Sequence, residues 1–253
     1  MNVFFYDKSF EGLLSAVFDA YARKKFPDLL LEKGDVPPLL VEYSHEVVTC
    51  PEKTERVWSG LRKKLPKLVL TQLTYAWLSE TAGSDEVIFR YIRKAFDKPH
   101  CIATDFNDED VLSLKKLTQK VSKEVQYLAM FIRFQRMADG IYFAPVAPVY
   151  NVLPLATGHL VDRFSDQRWI VYDEGRKYGY YYNQKTVMEM ALDDESSLQN
   201  GRLREDLMAG DEKLFQDLWK RYFKTLTIKE RMNRKLQRQH MPQRYWKYIT
   251  EKQ

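Results

Sequence analysis

The chain has 253 residues, of which 45% are hydrophobic and 30% charged, and its formal net charge is +5. This length can bury one large core or two smaller ones, and this composition is typical of a globular protein rather than a disordered one. Its two cysteines, Cys50 and Cys101, form no CxxC pair and lie near no paired histidines, so we expect no metal site and no cofactor. Because no apolar run approaches the roughly 18 residues of a membrane span and residues 1–10 lack a signal-peptide pattern, we expect a cytoplasmic protein without a membrane partner.

The N-terminal part of the chain predicts a strand followed by helices. Residues 3–6 are apolar and indicate a buried strand, and apolar residues recur at helical spacing over residues 10–21. After the proline pair at residues 37–38 we expect a second strand at residues 39–43. Three further helices are expected, namely after Pro51, over residues 68–78 and after Gly83.

The acidic residues 107–110 favour a helix start, because carboxylates stabilise the N-terminal end of a helix. The long helix that follows is expected to end near the turn pair Asp139-Gly140. We then expect a strand at residues 141–143 and a helix at residues 155–164. Three prolines are expected to make the connection between them irregular, namely Pro145, Pro148 and Pro154.

Residues 169–172 and 178–182 predict a β-hairpin with its turn at residues 173–175. Its second strand carries three tyrosines that share one face, Tyr178, Tyr180 and Tyr182. A packed face is favoured over a stacking platform for bases, since aromatic residues are common in strands. Residues 193–201 are expected to form a mobile acidic loop.

The C-terminal end of the chain is strongly basic. Residues 220–248 hold ten Lys or Arg and one acid, Glu230, so this stretch carries +9 and the remaining residues sum to −4. Apolar residues over 214–223 predict a helix. Thr227 and Glu230 match a capping box, so a second helix is expected to begin there. Its inner face would hold Ile228, Met232 and Leu236, and its outer face Arg231, Arg234, Lys235 and Arg238.

This basic end predicts a nucleic-acid interface, because a row of cations can meet successive phosphates and an aromatic ring can stack on an unpaired base. The alternative is a solvated surface whose aromatic residues hold the tail to the core, and for Trp246 we favour the core. The candidate nucleic-acid-binding residues are Lys220, Arg221, Lys224, Arg231, Arg234, Lys235, Arg238, Arg244, Tyr245 and Trp246.

A second set of polar residues could perform acid–base chemistry if it converged in a cleft. It consists of His159, Asp162, Arg163, Asp173 and Arg176. A structural cluster of ion pairs is the favoured interpretation. The chain contains no P-loop, GxGxxG or GxSxG motif, which argues against the commonest nucleotide-dependent enzymes.

Several of these stretches resemble a bacterial family described as DNA metabolism or DNA repair proteins, which carries a C-terminal domain of unknown function. The opening FFYDKSFEGLL at residues 4–14 resembles the start of that family, although Lys8 stands where the family more often has Gly. The later stretches that carry the resemblance are HLVDRF at 159–164, WIVYD at 169–173, RKYG at 176–179, IKERMN at 228–233 and MPQRYW at 241–246.

The resemblance implies a context in DNA repair or DNA metabolism but transfers no catalytic residue. Its members are typically encoded beside a radical-SAM protein, and elsewhere their C-terminal domain is fused to a uracil-DNA glycosylase-like domain. We therefore expect a DNA-binding protein that acts with a radical-SAM partner. The alternatives are a DNA-modifying enzyme centred on His159, Asp162, Arg163 and Asp173, or a protein–protein adaptor that binds no DNA.

The expected fold class is α+β, mostly helical, with a small mixed or antiparallel sheet and a basic helical C-terminus. We expect an N-terminal strand–helix region at residues 1–85 and a C-terminal α+β domain at residues 86–253, which could also pack as one compact body.

Overall fold

A computed structural model describes residues 1–192, 198–199 and 202–252. It is 51% helical and 16% strand, which confirms the α+β class. The chain divides into two compact units, Met1–Ser122 and Lys123–Gln253. This division differs from the one predicted after residue 85, because the helix after Gly83 lies in the first unit and its apolar residues share that unit's core.

The first unit is built on a three-stranded parallel sheet with strand order β2-β1-β3. Its central strand β1 is buried along most of its length, as expected for a parallel sheet. The core cluster is formed by apolar residues of β1 and of the helices. The elements are β1 (Asn2–Tyr6), α1 (Phe10–Arg23), β2 (Leu29–Glu32), β3 (Tyr43–Glu46), α2 (Pro51–Lys64), α3 (Lys67–Trp77) and α4 (Ser84–Asp97), followed by the start of α5 (Glu109–Phe131).

The predicted strand at residues 39–43 is wrong. Leu39 and Leu40 are exposed loop residues, and β3 begins only at Tyr43, where it pairs with the start of β1. Strand β2 was not predicted, because four residues after Pro27 are too short to show a period.

The motif at residues 4–14 has a structural role, because it forms the N-terminal end of helix α1. The Asp7 carboxylate accepts hydrogen bonds from the backbone N–H and the hydroxyl of Ser9, and the Ser9 hydroxyl accepts one from the Gly12 N–H at 2.9 Å. A Cβ on Gly12 would lie 2.1 Å from the Asp7 carboxylate, which explains the glycine. Lys8 has a φ of 53°, a left-handed conformation that favours glycine. Its ammonium group donates to Asp85 at 2.6 Å and offsets part of that cost.

Helix α5 ends at Phe131, earlier than the turn pair Asp139-Gly140 where its end was expected. The reason is that β4 (Gln135–Arg136) pairs with β5 (Tyr142–Val146) in an antiparallel hairpin whose turn contains Gly140, with a φ of 80°. The turn prediction was therefore correct, but it joins two strands.

The second unit contains a five-stranded mixed sheet with strand order β4-β5-β6-β7-β8. β5 and β6 are parallel and joined through α6, whereas the other pairs are antiparallel. The predicted hairpin is confirmed as β6 and β7. The elements are β4 (Gln135–Arg136), β5 (Tyr142–Val146), α6 (Leu153–Arg163), β6 (Trp169–Asp173), β7 (Tyr178–Tyr182), β8 (Val187–Met190), β9 (Leu198–Gln199), β10 (Arg202–Leu203), α7 (Glu212–Leu226) and α8 (Arg234–His240).

Of two predictions for the neighbourhood of this sheet, one is wrong and the other falls mostly outside the described residues. Pro145 lies inside β5 rather than in an irregular connection. Strand β4 pairs only with residues 142–143, so at Pro145 one side of β5 has no neighbouring strand, and a residue without an N–H is tolerated there. In the predicted acidic loop, residues 193–197 and 200–201 lie outside the described residues, and Leu198–Gln199 between them form β9.

The second C-terminal helix begins later than the capping box predicted. The Thr227 hydroxyl donates to the Phe223 carbonyl at 2.6 Å instead of capping a new helix. A 3₁₀ turn follows at Lys229–Arg231. Helix α8 begins after Asn233, whose side chain accepts a hydrogen bond from the Leu236 N–H at 3.0 Å, as a preferred N-cap residue does.

Because α8 begins later than predicted, its charged and apolar residues are not distributed over two faces as expected. Arg231 lies in the 3₁₀ turn, so the row of four cations on one helix is wrong, and α8 carries three of them. The apolar residues expected on the inner face are at least half exposed, namely Ile228, Met232 and Leu236.

Two glycines of the second unit give a matched test of this packing. A Cβ on Gly179 would lie 2.3 Å from the Val171 carbonyl of the neighbouring strand, so Gly179→Ala should lower the free energy of unfolding by about 2–3 kcal/mol. Gly158, inside α6, has nothing within 4 Å of its Cβ position, so Gly158→Ala should raise it by about 0.5–1 kcal/mol. Chemical denaturation followed by circular dichroism measures both, and equal effects would contradict the strand register.

Candidate nucleic-acid interface

The C-terminal segment of the second unit is anchored to a buried carboxylate on α5. Glu124 is 2% exposed and accepts hydrogen bonds from the Tyr245 hydroxyl at 2.7 Å and the Val149 N–H at 3.0 Å. It also forms an ion pair with Arg244. Burial, followed by the bond to Glu124, raises the pKa of Tyr245 well above its usual value. Arg244 and Tyr245 of the MPQRYW motif therefore anchor the C-terminal segment to α5.

Two further contacts fix the residues after this anchor. Lys247 and Tyr248 both donate to the Glu174 carboxylate in the turn of the β6–β7 hairpin. Tyr245 and Tyr248 are buried, whereas Trp246 between them is half-buried and donates from its indole nitrogen to the Met241 carbonyl at 3.1 Å.

These contacts correct the expected roles of two candidate residues. Tyr245 cannot stack on a base, because its ring is 2% exposed and packs against Phe131 in a small core cluster. Arg244 is committed to Glu124. Trp246 is neither a core residue nor a fully exposed ring for base stacking, because part of it is buried and the rest lines the pocket described next.

Helix α7 is tied to the end of the chain through Glu251. The Trp219 indole nitrogen donates to Glu251 at 2.9 Å, and the Arg133 guanidinium donates to both oxygens of the same carboxylate. Although burial acts to raise the pKa of Glu251, the donors Arg133 and Trp219 hold it below its usual value. These contacts hold α7 against the end of the C-terminal segment.

The space between these elements is a basic pocket of about 860 Å³. It is lined by six cations and two carboxylates, and two of the cations pair with carboxylates outside the lining, Arg204 with Asp206 and Lys247 with Glu174. The net charge of this region remains positive. Its wall also includes the half-buried ring of Trp246. The charged lining residues are Arg202, Arg204, Lys213, Lys220, Lys247, Lys252, Glu205 and Asp217.

The cations of the basic pocket differ in how far they are neutralised. Lys213 pairs with Glu205 at 3.1 Å, but Lys220 is 4.0 Å from Asp217. Lys252 lies 5.2 Å from the centre of the Trp246 ring, at cation–π distance. Arg202 is exposed and has no ion-pair partner within residues 1–192 and 202–252.

Seven further cations on α7, the 3₁₀ turn and α8 are exposed and have no ion-pair partner in the described part of the chain. We call them the open cations; they are Arg221, Lys224, Lys229, Arg231, Arg234, Lys235 and Arg238. Apart from Lys229, the open cations were all predicted to bind nucleic acid, and they and Lys220 remain available. Trp246 lines the basic pocket, whereas Arg244 and Tyr245 are held by Glu124.

The predicted set of binding residues lacked five of the six pocket cations, namely Arg202, Arg204, Lys213, Lys247 and Lys252. Arg202 and Arg204 flank the buried Leu203, so strand alternation could have shown that both lie on the outer side. Nothing in the sequence shows that this strand lies near α7.

The predicted acid–base residues do not form one site. Asp173 is fully buried and pairs with Arg176 at 2.9 Å, and Arg176 also donates to the carbonyls of Pro148 and Val149. This is the structural ion pair that the sequence analysis favoured. The other three candidates are exposed on α6, and no hydrogen bond or ion pair joins them to Asp173 in the described residues; they are His159, Asp162 and Arg163.

The tyrosines of β7 form packing contacts. Tyr182 is buried against Trp169, with ring centres 5.3 Å apart, and Tyr178 and Tyr180 are half-buried and meet edge to face. The favoured interpretation of a packed face is therefore confirmed for Tyr182.

The first unit holds a separate polar cluster at the end of β1. Asp85 accepts hydrogen bonds from the Tyr6 hydroxyl at 2.7 Å and from Lys8 at 2.6 Å. Burial, together with the neighbouring Asp85, raises the pKa of Glu86 to about 7. The cluster can therefore exchange a proton near neutral pH. A pocket of about 390 Å³ lies beside Tyr6, Lys8 and Asp85.

Within the described residues, no group of His, Cys, Asp and Glu side chains is arranged to hold a metal ion. A search of the same residues for a helix both long and apolar enough to cross a membrane finds none.

The chain belongs to a family described as a domain of unknown function, DUF4130, whose family model matches residues 82–251. The match includes α4, all of α5, the open cations and every residue of the basic pocket except Lys252. Searches of curated proteins and of solved structures gave no match.

The variant Tyr245→Phe tests whether the hydrogen bond from Tyr245 to Glu124 stabilises the fold. Loss of the hydroxyl removes one of the two hydrogen bonds to the same buried oxygen of Glu124, the other coming from the Val149 N–H. Because a hydrogen bond to a charged group contributes about 1.5–3 kcal/mol, the free energy of unfolding should fall by about that amount. Tyr222→Phe is the matched control, because that side chain is exposed, and it should change stability little. Urea denaturation compares the two, and equal effects would contradict the anchor.

The raised pKa of Glu86 predicts a pH-dependent stability. Folding takes up a proton between the ordinary pKa of 4.5 and about 7, so stability falls as pH rises through this window. Glu86→Gln should therefore stabilise the protein above pH 7 by about 1–2 kcal/mol, a value reduced for solvent screening of this partly exposed group. The gain should vanish below pH 4.5. Denaturation across this range, with the exposed Glu32→Gln as control, tests the prediction, and a gain independent of pH would refute it.

Proposed function

We propose that this chain is a DNA-binding protein of DNA repair or DNA metabolism that acts beside a radical-SAM partner. The basic pocket carries this proposal. Its excess of cations, its half-buried Trp246 and its volume of about 860 Å³ suit a phosphate together with a nucleotide base.

The open cations extend the proposed surface beyond the pocket. Lys220 lines the pocket, and Arg221 and Lys224 follow it on the same helix. The cations of the 3₁₀ turn and α8 continue the series along the chain. Because no described carboxylate neutralises them, they are available to release counterions from a phosphate backbone. Such contacts hold DNA without reading its sequence.

The assignment as a binding protein rests on the separation of the polar residues. His159, Asp162 and Arg163 are exposed, while Asp173 and Arg176 fix a turn, so we assign no reaction to them. The chemistry would then belong to the radical-SAM partner implied by the family resemblance. The fusion of related domains to a uracil-DNA glycosylase-like domain supports DNA as the substrate class.

Fluorescence anisotropy with a labelled single strand and its duplex, between about 50 and 200 mM salt, tests the proposal. The logarithm of the affinity should fall steeply with the logarithm of the salt concentration. Removing each phosphate contact should reduce this slope by about 0.9 for duplex or about 0.7 for single strands. The pocket variant is Arg202→Gln with Lys220→Gln, and the helix variant is Arg234→Gln, Lys235→Gln and Arg238→Gln.

A matched control removes three exposed lysines of the first unit with Lys67→Gln, Lys116→Gln and Lys120→Gln, the same change in net charge as the helix variant. The control should keep the slope of the unmodified protein. Equal losses in the control and the helix variant would mean that net charge alone drives binding. Absence of binding at low salt would contradict DNA binding altogether.

A further inference from the structure

Helix α7 directs its polar side towards the protein and its apolar side towards solvent, the reverse of an ordinary surface helix. Its polar residues Lys213, Gln216 and Lys220 line the basic pocket, and Glu212 at its start is buried. Its apolar residues are exposed instead, each over 38–60% of its surface. We call them the apolar stripe; they are Leu214, Phe215, Leu218, Trp219, Tyr222, Phe223 and Leu226.

The spacing of the apolar stripe places it on one side of the helix. Its residues recur at i, i+4 and i+8, and Trp219 stacks on Tyr222 with ring centres 5.6 Å apart. One edge of the stripe touches the chain end through Trp219 and Glu251. The rest of the stripe, including Leu218, remains accessible to solvent.

The apolar stripe is large enough for a protein interface. Large side chains present roughly 150–250 Å² each, so seven that are about half exposed leave on the order of 700 Å² of apolar surface. The largest patch on an ordinary monomer is about 300–600 Å², and one partner in a standard interface buries about 800 Å².

The charge beside the apolar stripe restricts what can cover it. Residues 220–240 hold eight Lys or Arg against one carboxylate, Glu230. A second copy of the chain would bring the same positive charge against itself, which opposes association. A partner with carboxylates around an apolar groove would complement both the stripe and the cations.

We propose that the apolar stripe docks a protein partner whose apolar groove is bordered by carboxylates. The stripe fits an apolar protein groove better than DNA, because Leu214, Leu218 and Leu226 offer no ring on which a base could stack. The proposal is independent of DNA binding, since a purely adaptor protein would need the same surface.

Photo-crosslinking in the native host tests this proposal. The chain carries p-benzoyl-phenylalanine at position 218 in the stripe or, as a control, at position 159, which is exposed on α6. Mass spectrometry identifies the attached molecule and the crosslinked residue. We expect one protein adduct specific to position 218, formed within an apolar stretch that has neighbouring Asp or Glu residues.

A synthetic peptide of the crosslinked segment then measures affinity for the purified chain. Leu218→Ser should weaken binding at least about tenfold, the size expected for a central anchor, and so should exchange of the peptide's acids for lysines. Leu218→Ser should leave the salt slope of DNA binding unchanged, so the failure of one proposal is distinguishable from the failure of the other.

Four outcomes would overturn the proposal. The first is an adduct with a second copy of the chain, and the second is an adduct with lipid or DNA. The third is equal adducts at positions 218 and 159, or no adduct at either position. The fourth is a peptide whose affinity is unchanged by Leu218→Ser or by acid-to-lysine exchange. Leu218 is exposed, so its replacement by serine removes no core contact and the folded chain can be assayed directly.

Discussion

The buried carboxylate of Glu124 determines where the C-terminal segment lies. Taking a carboxylate out of water costs several kcal/mol unless it is paired and hydrogen-bonded. Glu124 gains an ion pair with Arg244, the hydroxyl of Tyr245 and the N–H of Val149. Because one residue separates this anchor from Lys247, which is held by Glu174, Trp246 has little freedom and is placed in the wall of the basic pocket.

Local patterns predicted most of the elements but not this anchor. Apolar spacing identified α1 and α7, and alternation with a turn identified the β6–β7 hairpin, because those signals lie within a few residues. Glu124 and Tyr245 are 121 residues apart. No local rule connects them, so counting charges assigned Arg244 and Tyr245 to DNA when they are structural.

The same limit explains the errors at the basic end. Thr227 and Glu230 match a capping box, but the Thr227 hydroxyl instead binds back to α7, and Asn233 caps the next helix. The face of α7 was also not predictable. Its apolar spacing indicates a helix with one apolar side, and a sequence cannot show whether that side meets the core or a partner.

Helix α7 joins the two proposed surfaces physically. Lys213 and Lys220 face the basic pocket, whereas Leu218 and Tyr222 face solvent, so an anion and a protein partner would contact opposite sides of one helix. Trp219 and Glu251 hold this helix to the chain end. If a partner binds one position of this helix more tightly than another, it changes the pocket as well, and by linkage an anion in the pocket then changes the partner's affinity by the same factor.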